Sequence, residues 1–159
     1  MGRRILRGWC FVVAMAVTAA AVATAGRLEL RNEISGMARG GRRGKLAVRC
    51  WSNEDDLGWD IIPPGDSRKW KFTTINFWPF PTTEFRCEFR TAFGTTKDDV
   101  VTVFSGNRGF QRKSCDGTRG DQCIWVAKKK GLYHRRIFKD DDGKSYHDDV
   151  VESPWVWKW

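Results

Sequence analysis

Beyond residue 25, apolar and polar residues tend to alternate one for one. Phe85, Cys87 and Phe89 are separated by Arg86, Glu88 and Arg90, the cleanest run of this kind. Trp70, Phe72 and Thr74 alternate in the same way with Lys69, Lys71 and Thr73, and Leu46-Ala47-Val48-Arg49-Cys50-Trp51-Ser52 is apolar at every second place. A period of two turns one set of side chains to a core and the other to water, so each run predicts a half-buried strand. Val101-Thr102-Val103-Phe104, Ile124-Trp125-Val126-Ala127 and Leu132-Tyr133 add further strand candidates. Turn chemistry separates them: the carboxylates and glycine between Asn53 and Gly58, Pro63-Pro64-Gly65-Asp66, Ser105-Gly106-Asn107-Arg108-Gly109, and three lysines before Gly131. No apolar stripe recurs at helical spacing after residue 25. Short strands at close intervals predict an all-β fold, a small antiparallel sandwich.

The two ends of this region are less regular. Leu28, Leu30 and Ile34 suggest a short edge strand, followed by a Gly/Arg loop from Arg39 to Gly44. One short basic cluster of that kind is a solvated loop, not a nucleic-acid segment. From about residue 138 the chain becomes acidic and then rich in tryptophan: Asp140-Asp141-Asp142-Gly143, Asp148-Asp149, and Trp155-Val156-Trp157-Lys158-Trp159. Aligning Gly143 with the sixth place of a calcium loop puts Asp140, Asp142 and Asp149 on ligand places, but Phe138 falls on the first. An acidic turn followed by a closing strand is the expectation.

Residues 1–25 follow another rule. Arg3, Arg4 and Arg7 precede an uncharged run from Trp9 to Ala25, which ends in Ala23-Thr24-Ala25. A positive start, an apolar middle and small residues at the end describe a secretory signal peptide cut after Ala25. An uncleaved anchor is the alternative; the run is short of the roughly 20 residues a span requires. Cleavage leaves residues 26–159 as a single domain, not membrane-spanning. It also lowers the formal charge from +9 to +6, since three arginines leave with the leader. Cys10 leaves too, so Cys50, Cys87, Cys115 and Cys123 remain, an even number that reads as two disulfides in an oxidising compartment.

These motifs together resemble the plant self-incompatibility protein S1 family, the S-protein homologues. The resemblance opens with Val48-Arg49-Cys50-Trp51-Ser52 and Asp55-Asp56-Leu57-Gly58. It continues through Pro64-Gly65, Trp70-Lys71-Phe72, Asn76-Phe77-Trp78 and Thr83-Glu84-Phe85-Arg86-Cys87-Glu88-Phe89. Cys115, Cys123-Ile124-Trp125 and Gly131-Leu132-Tyr133 complete it, so it covers roughly Leu28 to Tyr133. It implies a secreted, apoplastic β-sandwich with two disulfides, acting as a ligand for a membrane protein of another cell. Trp59 stands where the family often has His, Pro79-Phe80-Pro81 replaces a glycine-containing link, and the tail is longer than is typical. No Asn-x-Ser/Thr sequon is present, so N-glycosylation is not expected. Four cysteines allow three pairings. The expected one is Cys50–Cys123 with Cys87–Cys115, and a local Cys115–Cys123 bridge is its main rival.

Little in the sequence points to catalysis. His134 and His147 stand alone, outside any His-Glu-x-x-His arrangement, and no serine has a Gly-x-Ser-x-Gly setting. The expectation is a non-enzymatic chain with no cofactor, no metal, no nucleic-acid partner and no small-molecule substrate. Loops carry recognition on a sandwich. The partner-binding candidates are therefore Asn107, Arg108, Gln111, Arg112 and Lys113, with Arg119 and Asp121 close by in sequence. Lys128, Lys129, Lys130, Arg135 and Arg136 form a second basic cluster. Two other roles suit a basic, tryptophan-rich secreted chain: a cationic defence protein acting on microbial membranes, and a binder of wall polysaccharide through exposed tryptophan.

Overall fold

The alternating runs become strands in the computed structural model, which describes residues 24–34, 44–74, 82–115 and 122–156. In chain order these are β1 (Thr24–Asn32), β2 (Leu46–Trp51), β3 (Asp56–Ile62), β4 (Ser67–Thr74), β5 (Glu84–Thr91), β6 (Gly94–Thr96) and β7 (Val101–Ser105). After helix α1 (Arg108–Ser114) come β8 (Gln122–Lys128), β9 (Gly131–Lys139) and β10 (Ser145–Val156). One sheet has the order β4-β1-β8-β9-β10; the other is β3-β2-β5, with β6 and β7 sharing the far side of β5. β10 joins the two. It pairs along β9, and its last residues Trp155 and Val156 then pair with Thr96 and Thr95 of β6. The expected closing strand is therefore present, and it starts ten residues before Trp155.

Three expectations need correcting. β1 is no edge strand: it lies between β4 and β8, and it runs parallel to β8 in an otherwise antiparallel sandwich. Its outer residues gave the misleading signal. Glu29 is buried there because Arg31 (2.7 Å) and Lys69 (3.7 Å) neutralise it. Second, the turn read from Asn53 to Gly58 ends early, because β3 begins at Asp56. Leu57 and Gly58 together face the single residue Cys50, a bulge in which Gly58 adopts φ +69°. Third, the loop after Ser105 contains α1.

The core lies between the sheets. Leu28, Leu30, Trp125 and Leu132 face Leu46, Val48, Phe85, Phe89 and Phe104. Phe72 of β4 spans the layers, with its ring centroid 4.5 Å from that of Phe85 and 4.6 Å from that of Phe104. Trp125 ties them with a hydrogen bond from Nε1 to the Val103 carbonyl at 2.7 Å. Asn32, fully buried, closes one end. Its amide donates to the carbonyls of Gly44 (2.7 Å) and Ile62 (2.8 Å), while Oδ1 accepts from Ile34 N–H (3.1 Å).

The disulfides are Cys50–Cys87 and Cys115–Cys123. The expected Cys50–Cys123 and Cys87–Cys115 pairs are thus replaced by the local rival and its complement. Register explains it: Cys50 and Cys87 stand directly opposite on neighbouring antiparallel strands, with Cα atoms 4.1 Å apart. Cys123 belongs to the other sheet, beside the end of α1 where Cys115 sits.

Gly131 opens β9 where β10 crosses closest. A Cβ there would lie 2.5 Å from the Ser153 carbonyl oxygen and 3.0 Å from Pro154 Cα, both backbone atoms that cannot yield without moving the strand. Gly131→Ala is expected to lower unfolding free energy by about 1–3 kcal/mol, measured by urea denaturation. An unchanged midpoint would count against this close approach.

Candidate functional site

The α1 segment is built by its ends. Asn107 caps it, its Oδ1 accepting from Gly109 N–H (2.8 Å) and Phe110 N–H (3.4 Å). Phe110 packs against the core and Ser114 is buried, which fixes the inner side of the helix. Arg112 and Lys113 occupy the last turn, where the helix dipole favours cations. Cys115 follows at once, donating its N–H to the Gln111 carbonyl (3.0 Å) and bridging to Cys123.

Arg108, Arg112 and Lys113 are therefore held on the solvent side of a helix anchored at both ends. All three are exposed, and none has an ion-pair partner among the described residues. Of the other candidates, Asn107 is engaged as the cap and Gln111 is half-buried. Arg119 and Asp121 lie outside the described residues.

Several of the other described arginines are matched to carboxylates, though Arg136 is not. On the outer face of the β3-β2-β5 sheet, Arg49 pairs with Asp56 (2.7 Å), Arg86 with Glu84 (2.7 Å) and Arg90 with Glu88 (3.4 Å). The hydrogen bond from Arg49 lowers the Asp56 pKa, and that from Arg68 lowers the Asp60 pKa. Arg135, grouped by sequence with the surface lysines, is buried. It donates two hydrogen bonds to each of Glu33 and Asp149, at 2.6–2.9 Å. The second basic cluster is thus split between a buried ion network and the exposed Lys129 and Lys130.

Beside α1, β9 carries His134 and Arg136. His134 is buried with its ring edge-on to Trp125, and Nδ1 lies 3.3 Å from a Glu152 oxygen. Burial pushes its pKa below the usual 6.5, Glu152 opposes that, and Arg136 and Lys113 reinforce it. Arg136 lies over Phe138, 5.0 Å from the ring centroid, and Phe138 stacks on Tyr146 at 5.3 Å. His147 is exposed and pairs in register with Ile137, so the two histidines do not converge. Asp140 accepts the Lys144 N–H (2.6 Å), spending its carboxylate on the β9–β10 turn.

Among the described residues, Trp70 and Trp155 pack on the core, Trp125 is within it, and Trp59 is exposed beneath Arg90 (4.5 Å to the ring centroid). No helix among the described residues is long and apolar enough to cross a membrane.

The family model for plant self-incompatibility protein S1 matches residues 27–155, the sandwich from β1 to β10. The chain is 61% identical to S-protein homolog 13 of Arabidopsis thaliana, with all of both chains covered. It is 37% identical to S-protein homolog 12 of the same plant, over 81% of this chain and 79% of the relative. With S-protein homolog 24 the identity is 33%, over 64% and 57%. No solved structure matches. The chain belongs to the plant self-incompatibility protein S1 family, the S-protein homologues.

Proposed function

We propose that this chain is a secreted, non-enzymatic ligand for cell–cell signalling, read by a membrane protein through the exposed face of α1. Three cations without an ion-pair partner among the described residues, on a helix pinned by its cap and a disulfide, carry the reading, because a rigid, solvated charge cluster is ready for an acidic partner surface. By contrast, Arg31, Arg49, Arg68, Arg86, Arg90 and Arg135 are each matched to a carboxylate. Cleavage after Ala25 would remove the first two residues of β1, which pair with Thr74 and Thr73 of β4, but would keep Gly26–Arg31 paired with β4 and Arg27–Asn32 paired with β8.

The test is binding of the labelled, disulfide-bonded protein to plant plasma-membrane vesicles. Saturable binding is expected to weaken at least about tenfold when Arg108, Arg112 and Lys113 are all changed to Glu, and to vanish after protease treatment of the vesicles. Equal binding to protein-free liposomes of the same lipids would favour the membrane-active defence role instead. Binding unchanged by the triple substitution would remove α1 from the interface.

A further inference from the structure

The β8–β9 hairpin holds a second charged feature, distinct from α1. Lys128 pairs with Gly131, so Lys129 and Lys130 are the two central residues of the turn. Such two-residue turns favour Asn, Asp and Gly, whose backbones take positive φ easily. Here both places are lysine, both are exposed, and neither has positive φ. The turn gains nothing from them.

Next to the turn is a groove of about 480 Å³ lined by Glu33, Lys128, Lys129, Lys130 and Tyr133. Its acids are already committed. Glu33 receives the Arg135 guanidinium at 2.8 and 2.9 Å, and Asp149 beneath is bound by Arg135 and by Lys128 Nζ at 2.6 Å. Lys128 also lies 5.3 Å from the centre of the Tyr133 ring. The floor is therefore a stiff, internally neutralised network, and the charge at the mouth with no ion-pair partner among the described residues is that of Lys129 and Lys130. Tyr133, half-buried, supplies a wall with an apolar face and a hydroxyl.

We infer that this groove binds an acidic polysaccharide, a chain of uronate sugars whose carboxylates meet Lys129 and Lys130 while a ring rests against Tyr133. Lysine suits repeated carboxylates because it acts as a point charge and needs no fixed fork geometry, unlike arginine. A lipid surface fits less well, since the turn exposes no large apolar side chain for insertion and Tyr133 is recessed behind it.

Co-sedimentation of the disulfide-bonded protein with polygalacturonate tests this, with fully methyl-esterified polymer, polyaspartate and phosphatidylserine vesicles as the comparison probes. Polygalacturonate is expected to bind best, with the affinity falling about tenfold in K129E/K130E and several-fold in Y133A, and weakening as salt rises. The variant with the α1 charges reversed, R108E/R112E/K113E, is expected to bind it as the parent does. Both hairpin positions are exposed, so an unchanged melting temperature confirms that K129E/K130E is folded. Equal affinity for polyaspartate, equal binding to the vesicles, indifference to the lysine substitutions, or an equal loss in the α1 variant would each overturn the assignment.

Discussion

Replacing Cys50 and Cys87 together by alanine is expected to lower the free energy of unfolding by about 4 kcal/mol, against about 2.5 kcal/mol for Cys115 and Cys123. The difference comes from the unfolded chain. The first bridge closes a loop between residues 37 apart in sequence and the second a loop between residues 8 apart, and the lost entropy grows with the logarithm of loop size. A domain of this size has roughly 5–15 kcal/mol in hand, so the first change alone removes a large share. Urea denaturation of the two double variants gives the comparison, and a larger loss from the short loop would refute the entropic account. The bridges also differ in what they hold. Cys50–Cys87 ties two strands of one sheet, whereas Cys115–Cys123 fixes the end of α1 to β8. The C115A/C123A variant should therefore lose vesicle binding out of proportion to its modest loss of stability.

The strands that a sequence displays are those with one wet and one dry face. β2, β4 and β5 fit that description, and their alternation located them within a few residues, whereas β7 is buried at four of its five positions. β3 did not, because its exposed positions are Leu57, Trp59 and Ile61 while half-buried Asp60 pairs with Arg68. Its polarity is inverted, and a bulge interrupts it. β1 misled in the opposite sense, since ion pairing lets Glu29 sit in the interior of a sheet. α1, at seven residues, is too short to show a helical period. Its cap Asn107 was visible but read as a loop residue. The cationic residues of the candidate site were legible as a cluster, whereas their lack of ion-pair partners among the described residues was not. Nothing in one dimension distinguishes Arg112, exposed and unpaired among the described residues, from Arg135, buried between two carboxylates contributed by residues 102 and 14 positions away. Disulfide pairing failed for a related reason, because it depends on register.

Arg135→Met is the second large effect, expected to cost about 3 kcal/mol, since breaking a buried ion network strands the groups left behind. Asp149, half-buried, would keep only Lys128, and Glu33 would lose both of its hydrogen bonds. The same substitution changes the response to acid. Burial alone would push the Asp149 carboxyl up, but hydrogen bonds from Arg135 and Lys128 outweigh it and hold the pKa at about 2, against 3.8 in the unfolded chain. Between those values the unfolded state binds more protons, so this contribution is complete above pH 3.8 and is lost as pH falls toward about 2. His134 adds an earlier loss. Its folded pKa lies below 6.5 because of burial, so its neutral form stabilises the fold above that pH, and the contribution declines as pH drops through 6.5. Stability measured against pH should thus fall in two stages. R135M should flatten the lower stage, because without the guanidinium burial governs Asp149 and its pKa rises. His134→Phe, which keeps a ring against Trp125, should flatten only the upper one. A lower stage that survives intact in R135M would show that Asp149 does not depend on Arg135. The network that underlies the proposed polysaccharide groove would then not be the stiff floor its geometry describes.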